Sequence, residues 1–483
     1  MSVDLEQLTP RERAERSIAA RAFDARARWP VAVVVLATFL CAALCAYRLG
    51  AKSLWFDEGY TVGVIARPFG GFLWRLGHWD LNQAPYELLV YGWYRIDTGQ
   101  EFLRSLSVAF AVATVPMVFV VGRRLLDARI GAIAAVLVAV NGFVVQWAQS
   151  LRGYSLALFL ATVMTWLFLQ AVERPTTARS LAYALVATVA IYAHMFCALV
   201  VVAHAVALVV RRPLPRRFLT VAGSTLVVTV LPLAVWSRTR RTDPLAWIGK
   251  APDTNLLHAL ADISGGSKRP LVAYAVVGLV GLVAMAHVVR RAPRSETAWR
   301  RIVVASWLVV PVVLTLFANV LAKPLLVGRY LIMVVPALAL VAAVGVCAIP
   351  WRSLSVVAMA ALLAGSGFGL SIWYTHGSIE DWRGATHQVL VAQRPGDALV
   401  VAPRDATPTV TYYERRAGGP HPSQVKHDPH RAVSERLWVL ERTSQRRRNP
   451  FLGFHQWRDH WYAKQRVWSF HGVRLTLYVA RAG

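Results

Sequence analysis

The sequence has few charged residues for its length. Asp, Glu, Lys and Arg make up 16% of the 483 residues, whereas soluble domains usually carry about a quarter. Hydrophobic residues reach 56%, and the mean hydropathy is +0.44. This composition excludes an ordinary soluble enzyme and indicates a protein of the lipid bilayer.

Acidic residues are scarcer than basic residues. There are 26 Asp and Glu against 53 Lys and Arg, which gives a formal net charge of +27. On a soluble chain this balance would indicate nucleic-acid binding. Here the basic residues lie between apolar runs, as in membrane proteins whose basic loops fix the topology and contact anionic lipid. We therefore expect membrane lipids as partners and no nucleic acid.

The sequence is also short of metal and nucleotide motifs. Its four cysteines lie inside apolar segments without CxxC or CxxH spacing, at Cys41, Cys45, Cys197 and Cys347. Neither a disulfide framework nor a zinc knuckle is expected from them. There is no DxD sequence and no Gly-rich phosphate loop, which disfavours a cytoplasmic nucleotide-sugar enzyme with a metal bridge. No cofactor is firmly implied, and a divalent metal is allowed but disfavoured.

Long apolar runs fill most of the chain up to residue 374. A helix needs about 20 apolar residues to cross a bilayer. Nine runs meet this length clearly: Pro30–Tyr47, Phe102–Gly122, Ile130–Trp147, Tyr154–Val172, Leu219–Trp236, Leu271–Val289, Ile302–Leu321, Tyr330–Ile349 and Ser353–Trp373. A further stretch, Leu181–Val210, is long for one span and short for two, and His194 interrupts it.

The charges of the short loops decide how often that stretch crosses. With the Arg-bearing tail (1–29) in the cytoplasm, the loops at 123–129 and 174–179 fall on the same side, as the positive-inside rule prefers. The basic loops at 211–217 and 290–301 join them only if Leu181–Val210 crosses twice. We therefore predict about eleven spans within a transmembrane domain (30–374), with a retained first anchor and a first outer loop at 48–101.

The composition changes after residue 375. Short β-like runs appear at 397–403, 436–441 and 474–480, and a helical pattern at 382–393 precedes them. This order is typical of a small α/β domain. The predicted fold is an all-α membrane protein with juxtamembrane helices in the first outer loop and a C-terminal α/β extracytoplasmic domain (375–483).

The first outer loop opens with SLWFDEGYT, residues 53–61. Two adjacent carboxylates, Asp57 and Glu58, at a membrane edge are costly unless they are solvated, paired or used. The structural alternative is that Asp57 caps a short helix and Glu58 lies in its first turn. Aromatic and polar residues follow, including His78, and would suit a platform lying on the membrane and roofing a cavity.

Several segments resemble the polytopic GT-C type glycosyltransferases, close to the family 39 protein mannosyltransferase and aminoarabinose transferase group. They are SLWFDEGYT, WAQSLRGYSLAL (147–158), YAHMF (192–196), GRYLIMVVPAL (328–338) and EDWRGATHQVL (380–390). The resemblance implies transfer of a sugar, with inversion, from a polyprenyl-phosphate carrier to a glycan, glycolipid or protein acceptor at the outer face. It implies Asp57 as the general base, and Glu58 is the second catalytic candidate.

Basic residues at the outer ends of the predicted spans would hold the donor phosphate, because guanidinium groups bind phosphate oxygens bidentately. These candidates are Arg152, Arg329 and Lys323. The alternative for each is snorkelling to the interface. The residues expected to line the cavity are Gln149, Tyr154, His194, Tyr330 and His78.

Two departures from the family pattern weaken the case for a metal. Many relatives carry Gln-Glu where this chain has Gln149 and Ser150, and many carry His-Pro-Pro where it has Gln83, Ala84 and Pro85. A carboxylate and a histidine are thereby lost, and donor specificity cannot be transferred from the relatives.

Other functions remain open from the sequence. A transporter or lipid flippase would also have many spans, although such proteins tend to show matching halves that this chain lacks. A noncatalytic scaffold for envelope assembly would need Asp57 to be dispensable. In the outer domain, the basic run Arg446–Arg448 would contact an anionic glycan or lipid, or simply be solvated.

Overall fold

A computed structural model describes residues 29–239, 255–321, 325–424, 434–445 and 453–481. Lys323 and Arg446–Arg448 lie outside these ranges. Helix α1 (Trp29–Ala46) leads into three short helices of the first loop, α2 (Phe56–Ile65), α3 (Phe69–Trp79) and α4 (Ala84–Tyr94).

A bundle of helices follows the first loop. In chain order these are α5 (Gln100–Leu125), α6 (Ala128–Ala139), α7 (Gly142–Ala148), α8 (Tyr154–Glu173), α9 (Thr177–Ala193), α10 (Ala198–Val209), α11 (Arg216–Thr239), α12 (Leu256–Ile263), α13 (Lys268–Arg291), α14 (Glu296–Leu321), α15 (Val335–Ala348) and α16 (Arg352–Thr375). A 3₁₀ segment, Gly328–Val334, precedes α15.

Eight helices of the described ranges are long and apolar enough to cross a membrane, counting the 3₁₀ segment and α15 as one. The predicted span at 130–147 is a bent pair, α6 and α7, with an angle of 57° between them. Asn141 lies at the bend, and its side-chain oxygen accepts hydrogen bonds from the first amides of α7. Counting the pair as one span gives nine, and α9 and α10 are the two shorter helices predicted around His194. The chain is therefore a multi-pass membrane protein.

Ion pairs join the four basic loops at one end of the bundle, which we call the basic end. Glu173 bonds to Arg124, and its other oxygen is 3.4 Å from a guanidinium nitrogen of Arg300. Arg211 and Glu296 pair at 2.9 Å. The loops at 123–129, 174–179, 211–217 and 290–301 therefore share one side, as their charges predicted.

The same contacts show how α9 and α10 run. At the basic end, Arg217, in the first turn of α11, donates to the hydroxyl of Thr177, at the start of α9, at 2.7 Å. At the opposite end, His194 lies between the rings of Tyr154 and Tyr330. The chain thus traverses the bundle in α9 and returns in α10.

The C-terminal domain is a mixed five-stranded sheet with the strand order β2-β1-β3-β5-β4. Its elements are α17 (Trp382–Ala392), β1 (Ala398–Ala402), α18 (Thr407–Ala417), β2 (Ser423–Gln424), β3 (Arg436–Arg442), α19 (Phe454–Trp461), β4 (Tyr462–Phe470) and β5 (Val473–Ala480). Strands β2 and β3 are parallel to β1, and β5 is antiparallel to β3 and β4.

Alternation along the strands divides the apolar residues between two faces. Val400 and Val439 pack on the face covered by Phe454 of α19. Leu399 and Trp438 point to the other face, where they share one core with α2–α4 of the first loop. The C-terminal domain, which we call the outer domain after its predicted side of the membrane, and the first loop therefore form a single packed unit at the end opposite to the basic end.

Candidate active site

Helix α2 carries the two adjacent carboxylates and is held from several sides. Its first turn is closed by Glu58, whose carboxylate accepts from the amide of Trp55 at 3.2 Å. This is the reach of an acidic residue at the third helical position back to the N-cap. From the outer domain, Glu380 accepts from the amide of Phe56 at 2.8 Å. Both contacts use orphan amides of the helix start.

Glu58 is occupied by the fold. It is fully buried, and its carboxylate pairs with Arg104 of α5 at 2.6 and 2.8 Å. It also accepts from the amide of Leu151 at 2.7 Å. Because every Glu58 oxygen is bonded to protein donors, Glu58 joins α2 to the bundle. The structural alternative for this residue fits its environment, and a catalytic role for Glu58 stays a prediction.

The opposite flank of α2 lies against α18 with no room for side chains. A Cβ atom added to Gly59 would come 1.7 Å from the hydroxyl of Thr409, and one on Gly63 would come 2.7 Å from Pro408. Glycine is therefore required at these positions by the close approach of the two helices.

Asp57 occupies the remaining flank. Its side chain is partly exposed, and no hydrogen bond to its carboxylate is formed by the residues that the structure describes. Arg152 lies beside it and donates to the hydroxyl of Thr61 at 2.9 Å and to the backbone oxygen of Asp57 at 3.4 Å. Burial opposes the charge of Arg152, yet the negative charge of Asp57 leaves the pKa of Arg152 above its usual value.

Aromatic rings and a second arginine complete this flank. The ring of Tyr154 is 4.4 Å from Trp147 and 5.6 Å from His194, and His194 is 5.4 Å from Tyr330. The guanidinium of Arg329 lies 5.6–5.9 Å from the ring centres of Tyr330 and Trp147. Four predicted residues from α8, the α9–α10 break and the segment before α15 thus lie together, and the charges of Arg152 and Asp57 act on two of them, Arg329 and Tyr330.

Several buried polar atoms around this point have no protein partner within the described ranges. They are Nε of Arg152, Nδ1 of His194, Nε1 of Trp147 and both carboxyl oxygens of Glu87. Buried polar groups normally have hydrogen-bond partners. Such a concentration is expected where a polar ligand supplies the missing bonds. We refer to Asp57, Arg152, Arg329, Tyr154, His194 and Tyr330 as the arginine site.

Two predicted cavity residues lie elsewhere. The amide of Gln149 donates to the carbonyl oxygens of Cys45 and Tyr47 and accepts from Trp373, so it ties α7 to α1 and α16. His78 is on the exposed face of α3, stacked on Trp74 at 4.5 Å. Packing between helices thus holds Gln149, which also borders a smaller cavity of about 320 Å³, and α3 turns His78 outward. Their expected role in the donor cavity stays a prediction.

The sequence reasoning missed Glu87, in the first turn of α4. Burial, followed by the charge of Asp80, raises the pKa of Glu87 well above its usual range. Asp80 itself accepts from the hydroxyl of Tyr60 at 2.9 Å and pairs with Arg75 at 3.3 Å. In the sequence, the unusual position of Glu87 was visible as a lone acidic residue in the apolar run PYELLV. Among the residues described, no group of three or more His, Cys, Asp or Glu is placed to hold a metal.

Comparison with known proteins identifies one matching family model. The family model for dolichyl-phosphate-mannose-protein mannosyltransferases matches residues 93–236. No curated protein matches the sequence.

Solved structures match nearly the whole chain. ArnT from Cupriavidus metallidurans, bound to undecaprenyl phosphate, has a TM-score of 0.59 at 15% identity and covers 93% of this chain and 98% of its own. The apo oligosaccharyltransferase of Archaeoglobus fulgidus has a TM-score of 0.53 at 12% identity, over 84% of this chain. In that alignment the chain spans 65% of the oligosaccharyltransferase's length.

The archaeal oligosaccharyltransferase AglB from Archaeoglobus fulgidus, in complex with an inhibitory peptide and a dolichol-phosphate, gives a TM-score of 0.55 at 10% identity. That alignment covers 94% of this chain and 74% of AglB. The protein therefore has the fold of the GT-C type glycosyltransferases, and the resemblance inferred from its sequence motifs is confirmed.

Proposed function

We propose that this protein is an integral membrane glycosyltransferase that moves a sugar from a polyprenyl-phosphate carrier to an acceptor hydroxyl, with inversion. The observation that carries the proposal is the setting of Asp57. Its carboxylate has no hydrogen-bond partner in the described part of the chain, and the buried side chain of Arg152 lies beside it, within reach of the Asp57 backbone oxygen and of its charge. An acidic group and cations so arranged can serve both sides of a sugar transfer.

The proposed step is a single displacement. The acceptor oxygen attacks the anomeric carbon, and the bond between that carbon and the phosphate oxygen breaks. The bonding electrons leave with the polyprenyl phosphate, while the acceptor proton passes to the carboxylate of Asp57. General-base catalysis by a carboxylate suits a reaction with an oxocarbenium-like transition state.

Arg152 and Arg329 would offset the charge on the departing phosphate. Guanidinium groups hold phosphate oxygens in bidentate pairs and stay charged when buried. ArnT is bound to undecaprenyl phosphate and AglB to a dolichol-phosphate in structures of similar fold. These relatives support a lipid-phosphate donor. Lys323 remains a candidate, outside the described residues.

The reaction would take place at the extracytoplasmic face. The arginine site and the outer domain lie at the end of the bundle opposite to the basic end. The positive-inside rule assigns the basic end to the cytoplasm. Under this orientation the amino terminus is cytoplasmic and the C-terminal domain extracytoplasmic.

The substitution Asp57→Asn tests the base role. It keeps the shape of the side chain and removes the proton acceptor. We expect transfer from a labelled polyprenyl-phosphate sugar to be lost, while binding of undecaprenyl phosphate and the melting temperature stay at wild-type values. Wild-type turnover in this variant would remove Asp57 from the chemistry and would favour a transporter or scaffold.

The substitution Arg329→Ala tests the phosphate role. Loss of one charge-assisted pair weakens binding by about 1.5–3 kcal/mol, or about 10- to 150-fold. The measurement is the affinity of the protein in nanodiscs for undecaprenyl phosphate. Arg294→Ala, an exposed arginine at the basic end, is the control. Equal affinities of the two variants would refute the assignment of Arg329.

A further inference from the structure

A second cavity, which we call the basic cavity, lies between the first loop and the outer domain. Its volume is about 730 Å³, within the range of about 300–1,000 Å³ common for small-molecule sites. It is bordered by the carboxyl-terminal half of α2, the link from α2 to α3, Arg75 of α3, β1 and α18. The Asp57 carboxylate is outside its lining, so the basic cavity adjoins the arginine site without being part of it.

The charges around this cavity are almost all positive. Its lining contains five arginines and one acidic residue: Arg67, Arg75, Arg404, Arg415, Arg416 and Asp405. Arg75 is paired with Asp80. Arg67, Arg415 and Arg416 are exposed and have no carboxylate partner among the residues described. Such concentrated charge attracts anions, and planar guanidinium groups suit phosphate and carboxylate oxygens.

The rest of the lining suits a saccharide. Three tyrosines, Tyr60, Tyr94 and Tyr412, contribute aromatic rings to the lining. The hydroxyls of Tyr60 and Tyr412 are bonded to Asp80 and to the backbone oxygen of Thr98, which fixes these two rings. Thr98 and Thr411 add hydroxyl groups. An acidic peptide would instead need a row of unpaired backbone groups, and the bordering edge strand, β2, is only two residues long.

The position of the cavity relates it to sugar transfer. Tyr60, at its near end, is one helical turn after Asp57 on α2. Arg67 is ten positions after Asp57, and the part of this path within α2, from Asp57 to Ile65, rises about 12 Å at roughly 1.5 Å per residue. A molecule extending from Arg67 towards Asp57 would therefore hold its anionic group about 12 Å or more from the base.

We infer that the basic cavity binds the acceptor, and that this acceptor is a saccharide bearing phosphate or carboxylate groups. The inference rests on the proposed function, because it takes Asp57 as the point of transfer. Arg67, Arg415 and Arg416 hold the anionic group, and the tyrosines contact the sugar rings. The accepting hydroxyl then reaches Asp57 past Tyr60.

Binding of defined probes to the full-length protein in nanodiscs tests this inference. The probes are trigalacturonate, mannose 6-phosphate, neutral maltotriose and a hexaglutamate peptide. Loss of charge-assisted hydrogen bonds costs about tenfold or more in affinity. We expect the two anionic saccharides to bind at least about tenfold more tightly than maltotriose and hexaglutamate.

A matched pair of variants separates the cavity from general surface charge. R415Q/R416Q removes two charges from α18 and should weaken trigalacturonate binding about tenfold or more. K464Q/R466Q removes two charges from β4, at the opposite edge of the sheet from β2, and should bind as wild type. Melting temperatures of both variants confirm that they are folded. Equal binding by the two variants, or equal binding of maltotriose or hexaglutamate by the wild type, overturns the inference.

The source of the anionic saccharide is tested separately. Free trigalacturonate competes with a glucuronosyl diacylglycerol placed in the nanodisc. A shared site for both sources is supported if the free sugar displaces the glycolipid from the wild type and this displacement is lost in R415Q/R416Q. Binding of the glycolipid that is insensitive to both competitor and variant contradicts it. Asp57→Asn should bind the probes normally, so the two proposals can fail separately. If the probes do not bind, the acceptor inference fails and the proposed function is unaffected. If Asp57→Asn still transfers sugar, the proposed function fails and the measured probe binding is unaffected.

Discussion

The buried pair of Glu58 and Arg104 gives a prediction whose size follows from the structure. Glu58 accepts four hydrogen bonds, two from Arg104 and one each from the amides of Leu151 and Trp55. In Glu58→Gln, one oxygen of the carboxylate becomes an NH₂ group, which only donates. Whichever way the amide turns, two of these donors then face another donor.

The cost can be estimated in two ways. Leaving two buried donors unsatisfied costs about 1–3 kcal/mol each. Removing one partner of a buried ion pair costs about 3–5 kcal/mol. A cooperative unit of about 150–250 residues shifts its melting temperature by about 2–4 °C per kcal/mol. We therefore expect Glu58→Gln to lower the apparent melting temperature by roughly 6–20 °C.

The assay compares the Glu58→Gln and Asp57→Asn variants of the full-length protein in nanodiscs. Thermal unfolding is followed by tryptophan fluorescence, and sugar transfer is measured at a temperature where both variants are folded. Glu58→Gln should melt early and retain part of its turnover, whereas Asp57→Asn should melt normally and have none. A Glu58→Gln protein that melts as wild type but is inactive would refute the reasoning, because Glu58 would then act in the chemistry.

Two further predictions concern α2 and α4. Gly59→Ala should destabilise the protein by about 1–3 kcal/mol, because the new methyl group has no room against α18. The control Gly70→Ala, on α3, should be neutral or slightly stabilising, because nothing lies within 4 Å of the added Cβ. Equal melting temperatures of the two variants would contradict the close packing. Glu87→Gln should stabilise the ligand-free protein increasingly as the pH rises from 5 to 8. The pKa of Glu87 is raised in the folded state, so the unfolded chain loses this proton at a lower pH than the folded one. The free energy of unfolding of the wild type therefore falls as the pH rises. A difference in melting temperature between variant and wild type that does not change with pH would show that the buried carboxyl has no such effect.

The sequence predicted much of the architecture because apolar length and loop charge are local signals. The break at His194 and the grouping of the basic loops followed from them. The strand β4 was not predicted, since its run YAKQRVWSF is an exposed edge strand with little alternation. The juxtaposition of Arg152, Tyr154, His194 and Tyr330 at one end followed from topology alone, whereas their contact distances required the structure.

Local pattern could not assign Asp57 and Glu58 to different roles. Successive residues of a helix point about 100° apart, so adjacent carboxylates on α2 must face different surroundings. Which of them faces the bundle depends on Arg104, 46 positions further along the chain. The partner of the helix start, Glu380, is more distant still. Long-range contacts of this kind leave no periodic trace in the sequence.

Three contacts of α2 explain how the first loop can hold the Asp57 carboxylate in place. Glu58 fixes the helix to α5, Glu380 fixes its first amide to the outer domain, and Gly59 lets α18 pack against its flank. Each support comes from a different part of the fold, and each uses a side of the helix that Asp57 does not occupy. A catalytic group must be held to within about 0.5 Å of its productive position. Because the outer domain provides two of the three supports, its docking on the first loop sets the position of the proposed base.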